Sequence, residues 1–220
     1  MQDLVVRLVS PLVLTFVGAW AGAWAAFMSE RKTQESNRRA ERISAANKAI
    51  FTIRALYETY ENLRQHYIDV DEIRDDPDRA LRMDSPQSGM MRNIEFNFNE
   101  LHFFLDHPGE VRSTVLMELL RLEREYHILL QTVEHHARAD DEFGRMRSGA
   151  NIVTKDEEKF DTAEKTTYSA QYSKLEATTN QMIASVDAGI TRSREVYEKV
   201  QSALQQQFPG QKFLTIPFNE

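Results

Sequence analysis

Residues 43–67, ISAANKAIFTIRALYETYENLRQHY, decide the fold class of this chain. Two series recur there every seven positions: Ile43, Ile50 and Tyr57, and Ala46, Ile53, Tyr60 and Tyr67. Apolar residues at this spacing form one stripe along an α-helix, and such a stripe is a seam for another helix. The residues predicted to form this helix-pairing seam are Ile43, Ile50, Ile53, Tyr57 and Tyr60.

Three heptads leave two interpretations open, an intermolecular coiled coil or one wall of a helical bundle. Tyrosine at core positions favours the bundle, because its hydroxyl needs a hydrogen-bond partner or water. Only 8 Gly and 6 Pro accompany 28% charged residues, which fits long helices better than an all-β fold. We therefore predict an all-α chain with an antiparallel bundle of long, coiled-coil-like helices over residues 43–207.

Beyond the seam, apolar residues three and four apart predict further helices at 91–105, 110–137 and 155–207. The first two are predicted to be antiparallel neighbours, since only the turn 106–109 separates them. Gly189 is the expected weak point of the longest helix. Residues 69–90 and 138–154 are predicted to be polar connections, the former an acidic surface loop. The tail 208–220 is expected either to pack back on the bundle or to be docked by a partner.

N-terminal to the seam, residues 8–28 contain no charged side chain. A helix of that length spans about 31 Å, which matches a hydrocarbon core of about 30 Å. We predict an uncleaved transmembrane anchor over residues 1–28, joined to the bundle by a polar helical stalk at 29–42. The rival is a cleaved signal peptide, which the long basic segment after the apolar run disfavours.

The flanks of the predicted anchor set its orientation. Positive charge is concentrated on the C-terminal side, in the stalk, so the N-terminus is predicted outside and the remaining chain in the cytoplasm, below the inner membrane. The predicted membrane-interface residues are Arg7, Trp20, Trp24, Arg31 and Lys32. The residues predicted to pack a second transmembrane helix are Gly18, Ala19, Gly22, Ala23 and Ala26, which surround a G-x-x-x-G pair.

Several chemistries are disfavoured by composition and spacing. The formal charge of −7 argues against a general nucleic-acid binder, and 0 Cys excludes thiolate sites and disulfides. No His follows a Glu by three residues, as di-metal carboxylate bundles require. A calcium loop from Asp69 fails because Arg74 stands where Gly is needed. His135 and His136 are a weak metal or pH-sensing candidate.

We therefore expect no catalytic residues, no metal, no cofactor and no enzymatic activity. The leading hypothesis is a single-pass, membrane-anchored interaction or scaffold protein that self-associates or tethers an unidentified protein partner at the inner membrane. The alternative is a toxin-like, membrane-permeabilising effector of the kind found in bacterial anti-phage defence, restrained by its cytoplasmic part or by a partner. A transmembrane sensor ranks last, because almost no residues precede the span.

Overall fold

The computed structural model describes residues 2–86, 91–105, 110–149 and 168–218. Side chains are described at 15–70, 72–86, 91–105, 114–146 and 168–218. The chain forms two compact units, Met1–Ala45 and Ala46–Glu220. Across the described residues the structure is mostly helical and contains no strand. The predicted all-α fold with long helices in a bundle is therefore confirmed.

The described residues of the first unit are all helical. Helix α1 runs from Gln2 to Leu63, and its N-terminal part makes up this unit. Every described side chain between residues 15 and 41 is exposed. The predicted span starts outside the described side chains, at residues 8–14. Where side chains are described, no helix combines the length and the apolar character needed to cross a membrane.

The second unit is built on the end of α1, helix α3 (Glu110–Gly149) and helix α4 (Ser169–Gln207), with the short helix α2 (Arg79–Arg82) between them. Contacts between α3 and α4 show that the two helices are antiparallel: Glu118 contacts Lys199, and Glu142 contacts Lys174. The buried residues of α3 and α4 recur every three or four positions, as a helical core stripe requires. The largest of them include Leu119, Leu122, Tyr126, Leu129 and Leu175.

The predicted weak point of α4 is instead a packing position. The helix is uninterrupted at Gly189, which is buried against the ring of Tyr60 from α1. A Cβ at position 189 would lie 2.6 Å from Tyr60 Cδ1 and closer still to other ring atoms. Glycine is needed here because only its missing side chain lets the aromatic ring approach the helix backbone.

The prediction of a helix at 91–105 is wrong. The segment is irregular, with one 3₁₀ turn at His102–Phe104, so the predicted antiparallel helix pair is wrong as well. Its backbone bonds to side chains of α3: Phe96 N–H donates to Glu123 (2.8 Å), and Tyr126 Oη donates to the Arg92 carbonyl (2.7 Å). These bonds compensate backbone groups that a helix would have paired internally. The turn predicted at 106–109 lies outside the described residues.

The predicted connections also contribute to the core. Within 69–86 a 3₁₀ turn (Val70–Asp75) and α2 bury Ile73, Ala80 and Met83, so this region is more than a surface loop. Residues 138–149 continue α3, because Ala139 and Phe143 extend its apolar stripe onto Leu175 of α4. Residues 150–167 lie outside the described part of the chain.

The C-terminal tail packs back on the second unit, which was one of the two predicted alternatives. Phe208 and Ile216 are buried, and the ring of Phe218 contacts that of Tyr57. The helix preceding it ends at Gln207, and Gly210 follows with a φ of +79°, in the left-handed region that suits glycine.

Candidate functional site

The exposed part of α1 carries a continuous aromatic face. Successive helical residues are about 100° apart, so Phe16, Trp20, Trp24 and Phe27 fall within about 80° of one another. We call these four residues the aromatic face. The rings of Trp20 and Trp24 stack with centroids 5.9 Å apart, and Trp24 lies 6.5 Å from Phe27. Each of the four is more than half exposed. Contiguous exposed aromatic surface on a helix marks a site of interaction with lipid or protein.

The opposite side of the same helix segment is small and open. Gly18 and Gly22 lie about 180° from the aromatic face. A Cβ added at either glycine would meet no atom within 4 Å. Of the three alanines predicted to surround them, Ala26 lies about 40° from Gly22, whereas Ala23 lies about 20° from Phe16, at the edge of the aromatic face; Ala19 lies between these two, and all three are exposed. Large side chains on one face and small ones on the other allow a second helix backbone to approach only from the small side.

The predicted interface cations occupy the next turns of α1. Arg31 pairs with Glu35 at 3.1 Å, with both side chains more than half exposed, and Lys32 is exposed. An exposed ion pair of this kind holds its partners only weakly, so Arg31 stays available to other anions. The side chain of Arg7 lies outside the described ones.

The helix-pairing seam lies in the interior of the chain. Ile50, Ile53, Tyr57 and Tyr60 are buried, and Ile43 is half-buried. The ring of Tyr60 meets that of Tyr126 from α3 in an edge-on contact, with centroids 6.0 Å apart. These four buried residues therefore pack against other parts of the same chain, as the bundle interpretation requires.

A buried polar cluster that the sequence did not reveal joins three elements. His136 of α3 is fully buried; its Nδ1 lies 3.0 Å from Ser85 Oγ and its Nε2 lies 3.1 Å from Thr179 Oγ1 of α4. Ser85 also donates to Asp140 at 2.9 Å. Burial lowers the pKa of His136, while the nearby carboxylate of Asp140 opposes that shift. A proton on Nδ1 of His136 would donate to Ser85, whose own proton goes to Asp140, and Thr179 donates its hydroxyl proton to the Leu175 carbonyl at 2.8 Å.

The arrangement of this cluster suits a structural connection rather than nucleophilic catalysis. In a catalytic triad the carboxylate orients the imidazole from the nitrogen that faces away from the nucleophile. Here Thr179 occupies that nitrogen, and Asp140 bonds to the serine itself. His135, the neighbour of His136, is exposed, so the two imidazoles do not share a site.

A second charged cluster fixes the register of α3 against α4. Glu118 is buried, accepts a hydrogen bond from Lys199 at 2.9 Å and pairs with Arg192. The hydrogen bond from Lys199 lowers the pKa of Glu118; Arg192 and Arg121 act in the same direction, and burial opposes them. Elsewhere Arg74 forms a two-pronged pair with Asp187, at 2.7 and 3.0 Å. Both sets hold elements of the bundle together.

Within the described residues, no group of three or more His, Cys, Asp or Glu side chains has the geometry to hold a metal ion. No protein-family model matches the chain, and no curated protein or solved structure is detectably similar to it.

Proposed function

We propose that this chain is a single-pass, membrane-anchored helical interaction protein. It self-associates, or tethers a protein partner, at the inner membrane, and it is not an enzyme. The observation that carries the proposal is the exposed aromatic face of α1, which coincides with the uncharged segment 8–28. The proposed parts are an anchor at 1–28, a stalk at 29–42, a cytoplasmic bundle at 43–207 and a tail at 208–220.

The physical support for the anchor is an energy balance. Its Leu, Val and Phe side chains contribute roughly −2 to −5 kcal/mol in total on an insertion scale. Trp20 and Trp24 fall towards the end where Arg31 and Lys32 follow, and this order of aromatic and then basic residues is typical of the cytoplasmic interface. Lys32 and Arg31 each gain about 1 kcal/mol near anionic lipid.

Membrane extraction tests the anchor. Two charges in the span, Leu14→Arg with Val17→Arg, cost about 5–7 kcal/mol together, which exceeds the insertion energy. We expect the wild-type chain to remain in the membrane pellet after a high-salt or alkaline wash and the double variant to become soluble. The matched control, Gln34→Arg with Asn37→Arg in the exposed stalk, should stay in the pellet. Wild-type chain found in the soluble fraction at ordinary salt would refute the anchor.

Self-association is proposed to use the small side of the helix. With Gly18 and Gly22 against a second copy, the aromatic faces of both helices point outward to lipid. The variant Gly18→Leu with Gly22→Leu should lose cross-linking or energy transfer between copies in vesicles. The control, Phe16→Leu with Phe27→Leu, alters the aromatic face and should keep it. Equal association of the two variants would contradict this interface.

The open small face also favours a second candidate, a membrane-permeabilising effector held in check by its cytoplasmic part or by a partner. This candidate predicts that induced production depolarises cells or releases dye from vesicles. The Gly18→Leu, Gly22→Leu variant would then lose toxicity along with association. If the bilayer stays intact after full membrane insertion of the wild-type chain, the effector candidate is refuted and the scaffold proposal remains.

A further inference from the structure

The tail of the second unit is bound to the bundle as an extended peptide. After Gly210 the backbone at residues 211–218 adopts no helix or turn, and it lies along α1 and α4. Most of its side chains are exposed, including Leu214 and Pro217. Its position therefore depends on a small number of contacts, which can be examined one by one.

Three of these contacts recognise the main chain of the tail. The amide of Leu214 donates to Asn47 Oδ1 (3.2 Å), and its carbonyl accepts from Gln201 Nε2 (2.7 Å). The amide of Ile216 donates to the hydroxyl of Tyr197 (3.2 Å). Side chains from two helices thus satisfy alternate backbone groups, which is how grooves hold extended peptides.

Two side chains give the contact its selectivity. Ile216 is buried, and the ring of Phe218 meets Tyr57 at a centroid distance of 4.8 Å and Tyr197 at 5.2 Å. The guanidinium of Arg194 lies 5.8 Å from the Phe218 centroid, within the range of a cation–π contact. We call the surface formed by Asn47, Tyr57, Arg194, Tyr197 and Gln201 the tail groove.

The tail does not fill all the space beside it. A cavity of about 300 Å³ adjoins Ile216 and Pro217 and continues along α1. Its other lining residues are Arg54, Tyr57, Glu58, Glu61 and Asn62 of α1, and Gln65 just beyond the end of that helix. The groove is thus accessible from one side, and a docked segment has room to enter or leave it.

We propose that the tail groove also binds the tail of a second copy of this chain, so that two copies exchange tails. The occupant is argued from the complementarity above, because the segment that fits the groove is present in every copy. Exchange forms the same contacts as the docked tail, and the glycine turn at 210 supplies a hinge. A short flexible link gives the chain's own tail an effective concentration in the millimolar range, so exchange competes only where copies are concentrated, either in one membrane or in a concentrated sample. The contact does not require the membrane anchor.

The test uses the natural absence of cysteine from the chain. One full-length copy carries Asn47→Cys, the other carries Leu214→Cys, and the two are produced together in one cell. Mild oxidation should give a covalent dimer of the two different copies. Adding Phe218→Ala to the Leu214→Cys copy should lower the yield about tenfold, since an aromatic anchor is lost. A control copy with the exposed Ser173→Cys in place of Leu214→Cys should give none.

A single chain carrying both Asn47→Cys and Leu214→Cys provides the reference. If it closes internally while the mixed copies give no dimer, the tail remains in its own chain and exchange is refuted. If neither sample cross-links, the docked tail itself is refuted. Dimers that form in a concentrated sample of the detergent-solubilised chain, even with Leu14→Arg and Val17→Arg, support exchange whether or not the membrane proposal holds.

Discussion

Gly189→Ala is a severe test of the bundle described above, because helix propensity and packing predict opposite results. Gly189 lies in the middle of α4 and is buried under the ring of Tyr60. Replacing glycine by alanine within a helix normally stabilises it by about 1 kcal/mol. At this position, however, the new methyl group would lie 2.6 Å from Tyr60 Cδ1 and nearer to two other ring carbons.

The cost of the clash with Tyr60 should exceed the gain in helix propensity. Tyr60 is 0% exposed, so its ring cannot swing into solvent to make room. Overpacking a well-filled core costs about 1–3 kcal/mol, and a clash with a fixed ring belongs at the upper end. After subtracting the helical gain, we expect a net loss of about 2 kcal/mol. For a chain of this size that loss lowers the unfolding midpoint by about 4–8 °C.

The measurement is denaturant and thermal unfolding of the full chain in mild detergent, followed by far-ultraviolet circular dichroism. The matched control is Gly144→Ala in α3, where an added Cβ meets nothing within 4 Å. It should gain up to about 1 kcal/mol, the helical term alone. The cost of Gly189→Ala should largely vanish in a Tyr60→Leu background, as expected for coupled neighbours. A Gly189→Ala chain as stable as Gly144→Ala would refute the contact between α1 and α4.

Two further predictions concern the polar clusters and use the same unfolding measurement. Glu118→Ala should lower the free energy of unfolding by about 2–4 kcal/mol at pH 7, because it leaves Arg192 without its buried partner. The control Glu134→Ala removes an exposed ion pair and should lower it by less than about 0.5 kcal/mol. Equal costs would contradict the buried cluster. The pKa of His136 is lowered in the folded chain. Below about pH 6.5 the unfolded chain therefore binds a proton at His136 that the folded chain does not bind, and the free energy of unfolding should decrease as the pH falls through that value. His136→Gln should flatten this dependence between pH 7 and pH 5; an unchanged slope would show that His136 does not cause it.

The long helices were readable from the sequence because their signal is local. Apolar residues three, four and seven apart predicted α3, the described part of α4 and the seam of α1, and few breakers interrupt them. The continuation of α3 past residue 137 was missed, although Ala139 and Phe143 keep the same spacing. The polar residues around Ala139 and Phe143 hid this apolar spacing in the sequence. In the folded chain the two side chains are buried against Leu175, and the helix continues through them.

Segment 91–105 shows why the same rule fails elsewhere. Its apolar residues also recur at three and four, yet its backbone pairs locally only in short turns, and two further backbone groups bond to Glu123 and Tyr126 of α3. Asparagine at 93, 97 and 99 weakens a helix, and partners far along the chain supply the alternative. A local pattern cannot report bonds formed at that distance.

The candidate surfaces divide in the same way. The aromatic face and the small side of α1 follow from the sequence, because the helical repeat alone places Trp20 and Gly22 on opposite sides. The tail groove does not, since Asn47 and Gln201 come together only when α1 and α4 pack. The sequence left open whether the tail packs back on the bundle or is docked by a partner, and the contacts of Phe218 with Tyr57 and Tyr197 show that it packs back.

By itself the sequence determined the helical class, the long elements and the uncharged N-terminal segment, all of which depend on neighbours within a few turns of one helix. Only the tertiary structure decided that Gly189 is a packing position, that His136 is buried in a polar cluster and that the tail is docked. These features depend on side chains contributed by different helices, and their energies arise only when those helices are in contact.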